Sequence, residues 1–106
     1  MRYTCRALRC LDRQGLVDVA CLYELVGPTG KRYIGITAQT AEIRFRRHCK
    51  QSIAGRACAI SAAIRKFGAD AFKIRTLLVA SDMAFLREME TRAIAAFRTM
   101  SPNGYN

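Results

Sequence analysis

Glu90 is the residue hardest to explain as structural filler. It lies four residues after Leu86 and three and four before Ala93 and Ile94, so it falls on the apolar stripe of a helix. A carboxylate there is partly desolvated and needs a cation beside it, either an arginine in a salt bridge or a metal ion. Glu88 points elsewhere on the same helix and reads as a solvated charge. Arg44 and His48 stand one helical turn apart and project to the same side, with Arg47 and Gln51 nearby on the polar side. Arg44 can clamp a phosphate by bidentate hydrogen bonding, and His48 can give or take a proton near neutral pH. The plainer alternative is a basic face that touches phosphates without chemistry. Tyr23 and Tyr33 complete the set. Phosphodiester hydrolysis needs a positioned water with a base, a cation against the developing charge, a carboxylate for a metal, and groups that hold the phosphate. These residues supply candidates for each role.

The elements that must position them can be read from pattern and punctuation. Gly27-Pro28-Thr29-Gly30 is a strong turn signal between strands expected at 20–26 and 31–36. Tyr23 and Tyr33 sit one on each strand. A symmetric four-residue loop would put them on opposite faces, whereas a three- or five-residue loop, or a bulge, would put both on one face. Thr37 or Thr40 can cap a helix at about 40–53, whose apolar stripe is Ala41, Phe45, Cys49 and Ile53. A second helix, about 58–67, buries Ile60, Ala63, Ile64 and Phe67 and ends at Gly68. Residues 71–79 form a third strand, with Phe72, Ile74, Thr76 and Leu78 on one side. A last helix, about 82–98, carries Leu86, Ala93, Ile94 and Phe97 on one stripe, and the tail SPNGYN reads as a loop. The expected fold class is α+β: a small three-stranded antiparallel sheet flanked by about three helices.

Composition narrows the partner. The chain has 106 residues, enough for one core, and carries 18 Lys and Arg against 8 Asp and Glu, a formal net charge of +10. So basic a small domain favours a polyanion, with nucleic acid first. A membrane fits less well, because the basic residues are spread along the chain and no apolar run approaches the roughly 20 residues that span a bilayer. Five irregularly spaced cysteines, with no CxxC pair, argue against a disulfide framework and for a reducing compartment, the cytoplasm.

Taken in order, the candidates form one pattern. Leu22-Tyr23, followed ten residues later by Tyr33-Ile34-Gly35, resembles the two tyrosine motifs that name the GIY-YIG nuclease family. Ile43 to His48, IRFRRH, is similar to that family's arginine-bearing helix, and Leu86 to Ile94, LREMETRAI, to its glutamate helix. Asn103-Gly104-Tyr105-Asn106 resembles the ending of homing-endonuclease-like members. The resemblance covers residues 20–106 and leaves 1–19 as a basic N-terminal extension.

The resemblance implies a metal-dependent endonuclease acting on nucleic acid, with DNA as the first expectation. Glu90 would hold one divalent ion, Mg²⁺ or Mn²⁺, and Arg44 would stabilise the phosphate in the transition state. Tyr23 or Tyr33 would act as general base or as positioner of the water, and the family leaves open which. His48 would assist the water or the phosphate. Gly35, Arg47, Lys50 and Asn106 are the expected substrate-binding or site-supporting positions. The chain departs from the pattern at Cys21, which replaces the glycine of the first motif, and at Ile36, where some relatives carry lysine. One such site cuts one strand, so a double-strand break would need a dimer or sequential nicking. The alternative is a catalytically weak or inactive nucleic-acid-binding module on the same fold.

Overall fold

The computed structural model describes residues 19–106; the basic extension expected at 1–19 lies, but for its last residue, outside them. Strand β1 spans Ala20–Val26, β2 Arg32–Thr37 and β3 Lys73–Ala80; helix α1 spans Ala41–Ile53, α2 Ala59–Phe67 and α3 Met83–Phe97. A 3-10 turn at Ala69–Ala71 joins α2 to β3. The sheet order is β2-β1-β3, antiparallel throughout, so the first strand is the central one.

Because β1 is covered on both faces, it is buried almost end to end and does not alternate between apolar and polar residues. Cys21, Tyr23 and Leu25 face α1 and α2 and pack with Phe45, Ile60, Ile64, Phe72 and Tyr105. Ala20 and Leu22 face α3 and pack with Ile34 and Leu86. The hairpin pairs Val26 with Arg32, which leaves the five-residue loop Gly27–Lys31, closed by Gly27 N–H on the Lys31 carbonyl (2.9 Å) and Gly30 N–H on the Gly27 carbonyl (3.1 Å). Gly30 has φ +90, a conformation that glycine adopts at no steric cost. That loop length puts Tyr23, paired with Gly35, and Tyr33, paired with Leu25, on the same face.

Caps fix the helix starts. Thr40, not Thr37, caps α1, its hydroxyl accepting from Ile43 N–H at 3.1 Å; Asp82 caps α3 through the amides of Ala84 and Phe85. Three expected patterns shift. The buried face of α1 is Ala41, Phe45, His48 and Ser52, whereas Ile53 is 85 % exposed. A strict four-residue step drifts about 40° on a 3.6-residue helix, so three steps carry Ile53 off the face. In β3 a register irregularity opposite Leu22 and Tyr23 pairs Leu22 with Leu78 and Tyr23 with Thr76. Leu78 therefore turns toward the α3 side instead of joining Phe72 and Ile74. On α3, Phe97 is 44 % exposed and lies under the Arg32 guanidinium, 5.0 Å from its ring centroid.

The tail does more than trail away. Tyr105 N–H donates to the Arg32 carbonyl (2.8 Å), and the Asn106 side chain accepts from Ile34 N–H (2.8 Å) and donates to the Ile34 carbonyl (2.7 Å). One side-chain amide thus pairs with β2 as a strand residue would. Gly104 fits only as glycine, since a Cβ there would lie 2.3 Å from the Thr99 carbonyl oxygen and 2.7 Å from that of Arg32.

Candidate active site

The sheet face under α1 gathers the site. Tyr23 is 1 % exposed and His48 3 %, and the Tyr23 hydroxyl meets His48 Nε2 at 3.0 Å. Tyr33 stacks edge-on to His48 with centroids 5.0 Å apart, and the two tyrosine rings lie 6.2 Å apart. Gly35 sits beneath both: a Cβ there would come within 2.7 Å of the Tyr23 hydroxyl oxygen and 2.9 Å of the Tyr33 ring. This glycine's place is thus under the tyrosines, whose rings need the space.

Above this pair opens a cleft of about 520 Å³ bordered by Tyr33, Arg44, His48, Gln51, Arg56 and Cys58, with Ala59, Ser101, Tyr105 and Asn106 toward the tail. Tyr33, not Tyr23, reaches it. Two buried nitrogens here lack a hydrogen-bond partner, Arg44 Nη1 and His48 Nδ1. Glu90, on α3, is not part of the cleft wall, but its charge acts on the Tyr33 hydroxyl. It is half-buried and makes no ion pair among the described residues, so the arginine salt bridge that would have explained it is not formed.

Electrostatics follow burial first. Burial pushes the Tyr23 hydroxyl far above the ordinary phenol range; Tyr33 adds to the shift and Arg44 opposes it. Burial also raises Tyr33, while Arg44 and the hydrogen bond with Tyr23 pull it down and Glu90 and Cys58 push it up. His48 is pushed down to about 4 by burial, then by Arg44 and Arg56, so it is neutral at pH 7. Burial raises Glu90, against the pull of Arg87. In the free protein, then, both tyrosines keep their protons and the imidazole is uncharged.

Several expected positions fall elsewhere. Arg47 and Lys50 border a separate cleft on the outer side of α1 with Ile43 and Arg46. Asn106 does border the main cleft, but its amide is engaged with Ile34 and with the Thr99 hydroxyl (2.6 Å), which makes it a positioning group. Ile36 packs into the α3 cluster, on the sheet face away from the tyrosines, and Cys21 is fully buried against α1 and α2. Arg56 and Cys58 were not expected at the site; Arg56 lies in the non-helical link after α1, and Cys58, expected as the first residue of the second helix, is the residue that precedes it. Among the described residues no three His, Cys, Asp or Glu side chains cluster as metal ligands. The Glu90 carboxylate, half-desolvated, within the field of Arg87 but in no ion pair among the described residues, still suits an ion such as Mg²⁺, which keeps several waters and takes one or two carboxylates plus substrate phosphate.

Comparison with known proteins fits this geometry. The model of the GIY-YIG catalytic domain family matches residues 19–106. Two solved structures share the fold. A mutant of the catalytic domain of intron endonuclease I-TevI is 22 % identical with a TM-score of 0.71, covering 83 % of this chain and 92 % of that one. The catalytic domain of homing endonuclease I-TevI is 22 % identical with a TM-score of 0.69, covering 82 % and 96 %. No curated protein sequence matches the chain.

Proposed function

The chain belongs to the GIY-YIG catalytic domain family, and from that premise we propose that it is an endonuclease hydrolysing phosphodiester bonds in nucleic acid, DNA first, with one Mg²⁺ or Mn²⁺ ion at Glu90. The observation that carries the reading is a pair of opposite charges that both act on Tyr33 and lack partners of their own. Arg44 holds a buried Nη1 with no partner at the cleft, and Glu90 holds a half-buried carboxylate with none. Leaving such groups unpaired is costly unless a ligand completes them. A scissile phosphate and a divalent cation are the ligands of matching charge.

Each residue then has a task. Arg44 binds the non-bridging phosphate oxygens and offsets the charge that grows in the transition state. Tyr33, at the cleft surface, orients the water whose oxygen adds to phosphorus as one P–O ester bond breaks. Tyr23 and His48 hold Tyr33 in place from below, the imidazole staying neutral. A divalent ion held by Glu90 would supply positive charge for the phosphate and the leaving oxygen. Burial keeps both phenols protonated in the free protein, so activation of the water depends on the charges that arrive with substrate and cation.

The same burial favours the second reading, a module that binds without cutting. Incubation with supercoiled plasmid and single-stranded DNA in Mg²⁺ or Mn²⁺ separates the two. We expect cleavage by the wild type and a fall of about 10²-fold or more for Glu90→Gln. No cleavage by pure protein, or equal cleavage by Glu90→Gln, sinks the nuclease reading; salt-dependent binding indifferent to metal would then support the module.

A further inference from the structure

The cleft does not end at the tail. A second cavity, about 420 Å³, continues from it between α2 and the tail, and the two share Ala59, Ser101 and Tyr105 as their common wall. Its chemistry differs from the first. Ala63 and Phe67 make an apolar floor with exposed Ala62 and Pro102 at its sides, while Lys31 from the hairpin loop and Lys66 from α2 stand on the rim, with no acidic side chain in the lining. The Lys66 ammonium lies 5.2 Å from the Phe67 ring centroid, so charge and apolar wall meet at one end. Both lysines are exposed and neither is in an ion pair among the described residues.

A duplex backbone running past would meet the two lysines and leave the apolar floor empty. A floor of this kind, in a cavity of this volume, takes a flat, partly apolar group carried on a charged chain. Resting on the nuclease reading of the adjoining cleft, we propose that this groove is a subsite for an unpaired nucleotide next to the scissile phosphate, its base against Phe67 and Ala63 and its flanking phosphates at Lys31 and Lys66. The substrate class is therefore nucleic acid with a single-stranded segment beside the cut: a flap, an overhang or a loop.

Binding is measured by fluorescence anisotropy, in the Glu90→Gln background to prevent turnover, with a blunt DNA duplex and the same duplex carrying four unpaired nucleotides at its 3′ or 5′ end. One extended duplex should bind about fivefold or more tightly than the blunt one, the gain of one stacked base. Ala62→Trp fills the groove from an exposed helix position and should erase that preference while leaving blunt-duplex affinity within about twofold. Lys31→Glu with Lys66→Glu should erase it too and lower the salt slope of extended-duplex binding by about 1 to 2. Equal affinity for blunt and extended duplexes, or a preference that survives both variants, overturns the subsite. Those outcomes leave the nuclease reading intact if the wild type cuts the blunt duplex; a wild type that binds and cuts none of them overturns both.

Discussion

Glu24 and Glu90 sit in the same small domain, and the deeper of the two is the one whose charge is paired. Glu24 is 1 % exposed on the central strand, yet Arg75 Nη2 lies 2.9 Å and Arg32 Nε 3.3 Å from its oxygens. Its cross-strand neighbour on β3 is Arg75, and Arg32 reaches in from β2. Three strands thus meet at one neutralised cluster. Glu90 is less buried but has no cation paired to it. Burial alone does not single out a candidate site carboxylate; burial without an ion-pair partner does. Tyr23 and Glu24 make the same point along one strand: adjacent residues face opposite sides, and the hollow of about 500 Å³ that Glu24 lines already holds the two arginines that neutralise it.

The contrast breaks most visibly in activity. Glu90→Gln should lose about 10²-fold or more in cleavage while keeping its fold, and Glu24→Ala should still cut at temperatures where it is folded. Parallel loss in both, read by cleavage beside circular dichroism, would erase the distinction. Stability should run the other way. Glu24→Ala leaves two arginines that can turn to solvent, so we expect a loss of about 2 kcal/mol, below that of a fully enclosed pair, and a Tm lower by about 10 °C.

A pH series sharpens the difference between the two sheet faces. His48 is held neutral, with its folded value near 4 below the unfolded 6.5, so the unfolded chain binds more protons between these values. The stability present above pH 6.5 is lost as pH falls toward 4, by about 1–2 kcal/mol from pH 7 to pH 5. His48→Gln should flatten that part of the profile; an unchanged slope would mean that the imidazole titrates freely. Glu90 works with the opposite sign, because its raised value favours the folded state below the ordinary carboxylate range and that gain is lost as pH rises. The smallest effect is the response to metal. Mg²⁺ or Mn²⁺ at ten times its dissociation constant should stabilise the wild type and Glu24→Ala by about 1.4 kcal/mol and leave Glu90→Gln unmoved, as read by thermal unfolding. A shift in Glu90→Gln equal to that of the wild type would place the ion elsewhere.

Much of this was legible in the chain. The GPTG turn, the Thr40 cap and Gly68 mark their boundaries through local chemistry that tertiary packing did not override. The condition that put both tyrosines on one face could be stated from parity alone, and the five-residue loop met it. Glu90 stood out because a helical stripe is periodic. Glu24 did not, because a strand buried on both faces gives no contrast between its residues. The β3 irregularity and the drift of Ile53 off α1 are geometric, and residue types along one segment do not encode them. Arg47 and Lys50 share a helix with Arg44 and His48 but face another way, a difference of rotation that proximity in sequence conceals.

The pairing of Asn106 with Ile34 reaches beyond the cleft. An edge strand offers a row of free amides and carbonyls on which another polypeptide can build a sheet. Here the tail takes the carbonyl of Arg32 and both backbone groups of Ile34, so the first half of the outer rim of β2 is occupied by the chain's own residues. One asparagine side chain, reaching 72 residues back along the sequence, thereby stands where the next strand would pair, on the edge that carries Tyr33.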